Sequence, residues 1–239
     1  MAKKPILRGD EREVVYSAEH WRLLHALRER AILIMRALER RGIPSITHGS
    51  LARGDVTPQS DIDIVIPMVI PTFKVEMVIE ELGLPIISKR IVQATPFHVL
   101  KAHIELEGNT VVTIPLTPLT SREREFYKFG GEVALRDLEK GRRVPGVDKR
   151  LMLIVPSPQG HRERPIIGME EEAARTVGVS LDIVKERVRV LVRRDTIGRT
   201  GVYLKEEIPL DESFENALRR IADRDPAVRR LMMSRGCYP

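Results

Sequence analysis

Residues 42–67 of the chain read GIPSITHGSLARGDVTPQSDIDIVIP. The pattern predicts a short strand over 45–48, a turn at Gly49, a polar connection and an apolar strand over 62–66. Isoleucine and valine favour strands, whereas glycine permits the backbone geometry of turns. The sequence therefore predicts two strands, joined through a turn and a helix start, at the centre of the fold.

Two aspartates, Asp61 and Asp63, lie where the second strand begins. Residues i and i+2 of a strand project from the same face, so the two carboxylates are expected side by side. Adjacent carboxylates repel each other unless a cation lies between them, and Mg²⁺ is usually held by one or two carboxylates together with substrate phosphates. We therefore predict that Asp61 and Asp63 bind Mg²⁺ or Mn²⁺. The alternative is that Asp61 caps a turn and Asp63 is a solvated residue on an edge strand.

The turn itself has the composition of a phosphate site. Gly49 permits close approach of a phosphate to the backbone, and Ser50 can donate a hydroxyl and a backbone N–H at a helix start. Arg53 lies about one helical turn further on and could reach the same anion. The sequence thus predicts a phosphate-binding turn followed by a metal-binding pair.

This arrangement resembles the nucleotidyltransferase superfamily typified by DNA polymerase beta. The matching residues are Gly49, Ser50, Asp61 and Asp63, and the flanking Arg53 and Ser60 are similar to those of small archaeal-type transferases. The resemblance implies that Gly49, Ser50, Arg53 and Ser60 bind a nucleoside triphosphate (NTP). It also implies that Asp61 and Asp63 hold the metal for transfer of a nucleoside monophosphate (NMP) to a hydroxyl acceptor, with release of pyrophosphate.

The resemblance leaves the acceptor open among RNA, a protein and a small molecule. Two other functions remain as alternatives. The chain could be a nucleotide-sensing DNA-binding protein, or it could be a catalytically weak pseudo-transferase.

A third acid usually lies on a strand beside the Asp-x-Asp strand of this superfamily. The segment Val111–Ile114 contains none, and Glu105 is the nearest substitute, so Glu105 is the third candidate catalytic residue. A two-residue loop would pair Glu105 with Val112, and a three-residue loop would pair it with Val111. A surface glutamate on a hairpin is the alternative interpretation.

Helices and further strands are predicted around this unit. Apolar residues recur at helical spacing over 17–40 and 71–82. Strands are predicted over 85–92, 97–106 and 110–116, the last two forming a hairpin. With the resemblance, this predicts an α+β fold: a polymerase-beta-like nucleotidyltransferase core of a mixed sheet with flanking helices, plus a small winged-helix-like domain at the C-terminus.

Three aromatic residues, Phe126, Tyr127 and Phe129, lie close together in a polar and basic segment. Interleaved aromatic and cationic side chains can stack a base and hold phosphates. Aromatic residues more often pack in a core, and we favour that interpretation.

The predicted domains are a nucleotidyltransferase domain over 1–156, a linker over 157–167 and a C-terminal domain over 168–239. Proline, glycine and charged residues indicate the linker. The residues 169–194, MEEEAARTVGVSLDIVKERVRVLVRR, predict a helix-turn-helix, and 196–204 predict a wing-like hairpin. Such a module often binds DNA, but it can equally present a substrate or mediate dimer contacts.

Charge and composition indicate the kind of partner. A net charge of +6 and a pI of about 9.6 favour nucleic acid and nucleoside triphosphates. Charged residues at 31% with few aromatics are typical of thermophile surfaces. The single Cys237 cannot form an internal disulfide, which favours a cytoplasmic location, and neither a signal peptide nor an apolar run long enough for a membrane helix is expected.

Overall fold

The structure is a computed structural model, and it describes residues 4–198 and 201–237. Its elements follow one another along the chain as β1 (Arg12–Val15), α1 (Ala18–Arg40), β2 (Ile46–His48), α2 (Ser50–Arg53), β3 (Ile62–Val65), α3 (Phe73–Glu81), β4 (Ile86–Gln93), β5 (Leu100–Leu106), β6 (Thr110–Pro115), α4 (Ser121–Phe129), β7 (Glu132–Ala134), α5 (Leu135–Glu139), β8 (Gly146–Val147), β9 (Met152–Ser157), β10 (Gly160–Pro165), α6 (Glu170–Val177), α7 (Leu181–Ile197), β11 (Leu204–Ile208), α8 (Phe214–Arg224) and α9 (Pro226–Ser234).

The chain forms two compact units that interleave along the sequence. Within the described residues, the first unit contains 4–32, 46–60 and 124–198. The second unit contains 33–45, 61–123 and 201–237. Each unit therefore combines segments that are distant in sequence.

The first unit contains a four-stranded antiparallel sheet in the order β1-β10-β9-β8 and an antiparallel pair of β2 with β7. Its core joins strand and helix residues from the second half of the chain: Phe129, Val147, Leu151, Leu153, Ile166, Ala173, Ala174, Val177, Ile183 and Val184. These side chains are buried because β8, β9, α6 and α7 each direct one apolar face inward. The core thus fixes α6 and α7 to the sheet of this unit.

The second unit contains five strands in the order β11-β4-β5-β6-β3. Only β3 and β6 run parallel; the other pairs are antiparallel, so the sheet is mixed. Strand β5, LKAHIEL, alternates fully buried and half-buried residues, as expected for a strand with one face on a core. The mixed sheet with helices confirms the α+β class.

The predicted elements of the second unit are present with shifts of a few residues at their ends. The β5–β6 hairpin pairs Leu106 with Thr110 and Glu105 with Val111, leaving 107–109 as the loop. The three-residue alternative is therefore the one observed.

The segment 157–167, predicted as a linker, is instead a tight turn followed by β10. Gly160 pairs with Ser157, and Pro165 pairs with Met152 across β9. The proline and glycine residues that suggested a linker occupy the turn and the ends of paired strands, where they are tolerated. The backbone of this segment is thus held in a sheet.

The C-terminal segment contains the two predicted helices but no winged-helix domain is confirmed. Helix α6 ends at Gly178 in the left-handed conformation, and α7 begins after Ser180, whose hydroxyl accepts from the Ile183 N–H. The predicted wing falls partly on residues 199 and 200, which lie outside the described residues. Strand β11 does not form a hairpin with its neighbours in sequence; it pairs with β4 in the second unit.

In the part of the chain that the structure describes, no helix is both long enough and apolar enough to cross a membrane.

Candidate functional site

Gly49 forms the turn between β2 and α2. Its φ of 78° and ψ of −144° belong to a region that residues with a side chain rarely adopt. Its N–H donates to the Gly131 carbonyl at 2.9 Å, and its carbonyl accepts from the N–H groups of Ala52 and Arg53 at 3.1 Å each. A Cβ built at this position would meet no heavy atom within 4 Å. The turn is therefore fixed by its hydrogen bonds and open on the side where a side chain would stand.

Ser50 and Ser60 lie together although ten positions separate them. The Ser50 hydroxyl donates to the Ser60 hydroxyl oxygen at 3.2 Å, and the Thr57 N–H donates to the same oxygen at 2.9 Å. The polar connection between the two motifs is thus folded back on the Gly49 turn. Ser60 immediately precedes Asp61 in the chain.

The side chain of Arg53 is used within the first unit. It is only 4% exposed, and it donates from Nε and Nη2 to the two carboxylate oxygens of Asp55 at 2.9 Å each. Its Nη1 donates to the Gly130 carbonyl at 2.5 Å. Because Gly131 accepts from the Gly49 N–H, Arg53 supports the turn through the 130–131 backbone. These contacts differ from the phosphate contact that the sequence suggested.

Helix α1 holds the short helix α2 through His20, which we assigned to the packing of α1, and through Arg28, which sequence reasoning missed. Arg28 is 6% exposed, and its guanidinium donates to the carbonyls of Leu51 and Ala52 at 2.9–3.2 Å. Burial and the charge of Arg143 lower the pKa of Arg28 to about 10. The His20 Nε2 lies 2.8 Å from the Gly54 carbonyl oxygen. The apolar spacing of α1 predicts that the helix packs on a core. It does not predict the hydrogen bonds made by polar residues on the same face.

Asp61 and Asp63 lie at the start of β3 in the second unit. Ile62 and Ile64 are fully buried, Asp63 is half-buried and Asp61 is exposed. This alternation directs Asp63 to the face opposite the two isoleucines, as the spacing predicted. Both aspartates have contacts within the structure, and β3 pairs with β6 in parallel, with Asp63 opposite Val111.

Strand β6 places no carboxylate beside Asp63. In the register of the sheet, Asp63 pairs with Val111, Val111 pairs with Glu105, and Glu105 pairs with Ser88. Glu105 is thus two strands from Asp63, about 10 Å between Cα atoms at ordinary strand spacing.

The carboxylate of Glu105 has partners on β4. The Ser88 hydroxyl donates to its Oε2 at 3.0 Å, and the Arg90 Nη2 lies 3.2 Å from the same oxygen. Glu105 would have to leave this pair to share a cation with Asp63.

His103 belongs to the same face of the sheet as Asp63 and Glu105. Its Nδ1 lies 2.9 Å from the Thr113 Oγ1, and Thr113 pairs with Val65 on β3. Burial lowers the pKa of His103 to about 4, with further contributions from the charges of Lys101 and Arg90. The imidazole is therefore neutral at neutral pH.

The aromatic cluster belongs to the packing of the first unit. Tyr127 and Phe129 are 3% and 4% exposed, and Phe129 is part of the core of that unit. The ring of His48, which precedes Gly49, meets the edge of Tyr127 with centroids 5.1 Å apart. The preferred packing interpretation of these aromatics is confirmed.

The candidate site residues fall in both units. Gly49, Ser50, Arg53 and Ser60 belong to the first, and Asp61, Asp63 and Glu105 belong to the second. Among the described residues, no cluster of three or more histidine, cysteine, aspartate or glutamate side chains is arranged to hold a metal ion.

Comparison with known protein families identifies the class of domain. Residues 29–116 match the nucleotidyltransferase domain family, and the match includes Gly49, Ser50, Asp61 and Asp63. This segment is therefore a nucleotidyltransferase domain, and the resemblance to the polymerase-beta-like superfamily is confirmed. Comparisons with curated proteins and with solved structures gave no significant match.

Proposed function

We propose that the chain is a metal-dependent nucleotidyltransferase that moves an NMP from an NTP to a hydroxyl acceptor and releases pyrophosphate. The observation that carries this proposal is the order of features within the matched segment. A glycine turn that is open toward an approaching group is followed, after a folded polar connection, by the Asp-x-Asp strand.

Gly49 and Ser50 bind the terminal phosphates of the NTP in this proposal. The positive φ of Gly49 and the open space beside it permit a phosphate to approach the backbone. Ser60 orients the Ser50 hydroxyl through their hydrogen bond. Arg53 acts as a positioning residue, because its donors hold Asp55 and Gly130.

Asp61 and Asp63 are the residues that would hold Mg²⁺ or Mn²⁺. Their donor set fits such an ion, because these cations prefer carboxylate oxygens and commonly take one or two of them together with substrate phosphates. When bound, the ion neutralises charge on the triphosphate. The acceptor hydroxyl oxygen forms a bond to the α-phosphorus and gives up its proton to solvent, as the bond from that phosphorus to the pyrophosphate oxygen breaks.

A catalytically weak transferase is the second candidate, and the sequence of β6 favours it. That strand offers Val111 and Thr113 on the face shared with Asp63, and the nearest acid on β5, Glu105, is held by Ser88 and Arg90. If Glu105 takes part, Glu105→Gln lowers the rate of transfer without changing NTP affinity. A slow transferase would bind NTP and metal normally but label acceptors poorly.

The test is incubation of the full chain with each of the four α-labelled NTPs, Mg²⁺ or Mn²⁺, and total cellular RNA and protein. We expect label on one size class of acceptor, and loss of at least about a hundredfold in rate for Asp61→Asn and for Asp63→Asn. Asp211→Asn, an exposed acid of the second unit, is the matched control and should retain the activity. Equal labelling by all variants, or no labelling under any condition, would refute the proposed transfer.

A further inference from the structure

Helix α7 is amphipathic, and its apolar face is already occupied. Ile183 and Val184 are buried in the core of the first unit, and Val188, Leu191 and Val192 pack against that core. This face is therefore unavailable to a lipid surface or to a partner helix.

The opposite face carries a basic stripe, defined as Lys185, Arg189 and Arg193. These residues follow one another at intervals of four, so they lie on one side of the helix and span about 12 Å along its axis. All three are exposed, and within residues 4–198 and 201–237 none of their side chains forms an ion pair or a hydrogen bond. Arg194, beside the stripe, is exposed as well.

The stripe is not explained by the helix dipole. Cations stabilise a helix through its dipole only in the last turn, and the basic residue there is Arg194, which is not part of the stripe. Lys185 lies near the start of α7 and Arg189 in its middle, where the dipole gives them no such role.

Arg187 is not part of the stripe, because residues two positions apart on a helix point to nearly opposite sides. Its guanidinium lies 5.0 Å from the centre of the Phe126 ring, and its buried Nε has no hydrogen-bond partner in the described part of the chain. Burial lowers the pKa of Arg187, and so does the charge of Arg194. The cations that can attract a polyanion are therefore the exposed ones of the stripe.

The N-terminal end of α7 has the opposite character. The Ser180 N–H and hydroxyl both donate to the Glu125 carboxylate, and Asp182 is exposed one turn away from the stripe. Three acids of α6, Glu170 to Glu172, share a surface depression with Leu181 and Lys185. Helix-turn-helix proteins contact base edges through this end of the second helix, but here acids would repel the phosphates. Contact along the side of α7 is therefore favoured over insertion of its end into a groove.

We propose that the basic stripe of α7 binds the sugar-phosphate backbone of a nucleic acid strand without reading its sequence. This binding does not depend on the proposed transferase function. Both RNA and DNA strands present the phosphodiesters that the stripe recognises.

The test measures binding of fluorescent RNA and DNA strands of about 16 nucleotides by anisotropy across a range of salt concentrations. It uses the full chain without NTP or divalent cation, so binding is independent of transfer. The test variant is Lys185→Gln, Arg189→Gln, Arg193→Gln. The control variant Arg136→Gln, Lys140→Gln, Lys149→Gln removes the same charge from exposed positions of the same unit that form no such line.

We expect the stripe variant to bind both strands at least about tenfold more weakly, and its plot of log affinity against log salt to be shallower by about 2. The control variant should stay within about twofold of the unchanged chain. Equal weakening by both variants, or no binding of either strand by the unchanged chain, would overturn the proposal. Because the assay contains no NTP, its failure leaves the proposed transfer reaction to be tested separately by the labelling experiment.

Discussion

At the residue scale, Gly49 determines whether the turn between β2 and α2 can form. Its need for glycine comes from the backbone alone, because an added Cβ would meet no neighbour within 4 Å. An alanine must still adopt the φ of 78° that the turn requires. The Cβ of that alanine would also occupy the open space in which the proposed function places a phosphate.

We predict that Gly49→Ala lowers the free energy of unfolding by about 1–3 kcal/mol, the usual strain of a side chain in a sparsely populated backbone region. Urea unfolding measures this loss. Gly9→Ala is the control, because an added Cβ there meets its nearest atom, the Pro165 Cγ, at an ordinary 3.6 Å. If the two substitutions cost the same, the Gly49 backbone does not have the conformation described.

Glu123 is a second residue whose environment has a measurable consequence. Burial raises the pKa of its carboxyl, but hydrogen bonds from Arg235 and from the backbone N–H groups of Thr120 and Val99 outweigh it, and the pKa falls to about 2. The Arg235 guanidinium also donates to the carbonyls of Pro118 and Phe97, so this pair ties the C-terminal helix to two loops.

Because the folded-state pKa of Glu123 lies below its value of about 4.3 in an unfolded chain, its stabilisation is complete above that value. It is lost as the pH falls from about 4.3 toward 2. We predict that Glu123→Gln is less stable than the unchanged chain at neutral pH, and that the difference shrinks as the pH falls through this window. Thermal unfolding at several pH values measures it, and a difference independent of pH would contradict the assigned pair.

At the scale of elements, Lys89 joins three parts of the second unit. It is 2% exposed, and its Nζ donates to the Glu76 carboxylate on α3 at 2.7 Å and to the Glu212 carbonyl at 2.7 Å. The Nζ also lies 5.0 Å from the centre of the Phe214 ring at the start of α8. The strand β4 is thereby connected to the helices on both sides of it in sequence.

Removing one partner of a buried charge pair leaves the other without compensation. We predict that Lys89→Ala destabilises the chain by about 3 kcal/mol, measured by chemical unfolding. Lys74→Ala, which removes an exposed lysine from α3, should change the stability by no more than about 0.5 kcal/mol. If Lys89→Ala lowers the free energy of unfolding as little as Lys74→Ala does, the pair of Lys89 with Glu76 contributes little to stability.

The elements themselves were largely predictable from the sequence. Periodicity predicted α1 and α3, the hairpin pattern predicted β5 and β6, and the Gly49, Asp61 and Asp63 motif predicted the domain that the family match confirms. Periodicity did not predict which polar side chains are buried inside the fold. Lys89 in β4 and Arg28 in α1 resemble surface residues until their partners, which come from other elements, are known.

At the scale of the whole molecule, the assignment of segments to units depended on pairings that are remote in sequence. Residues 196–204 were predicted to form a wing near α7, yet β11, which begins at Leu204, pairs with β4, more than a hundred positions away. The segment predicted as a linker contains β10 instead. Each residue of β10, from Gly160 to Pro165, pairs with a residue of β9. The sequence of one strand does not specify which distant strand it pairs with, because the edge of any strand can accept a partner.

In the proposed function, Asp61 and Asp63 hold a divalent cation that strengthens NTP binding. Calorimetric titration of the full chain with a non-hydrolysable NTP, with and without Mg²⁺, measures this effect. We predict that Mg²⁺ strengthens binding by at least about tenfold, and that Asp61→Asn and Asp63→Asn each abolish this gain, whereas Asp211→Asn keeps it. A gain from Mg²⁺ that survives in both aspartate variants, or the lack of any gain in the unchanged chain, would contradict it.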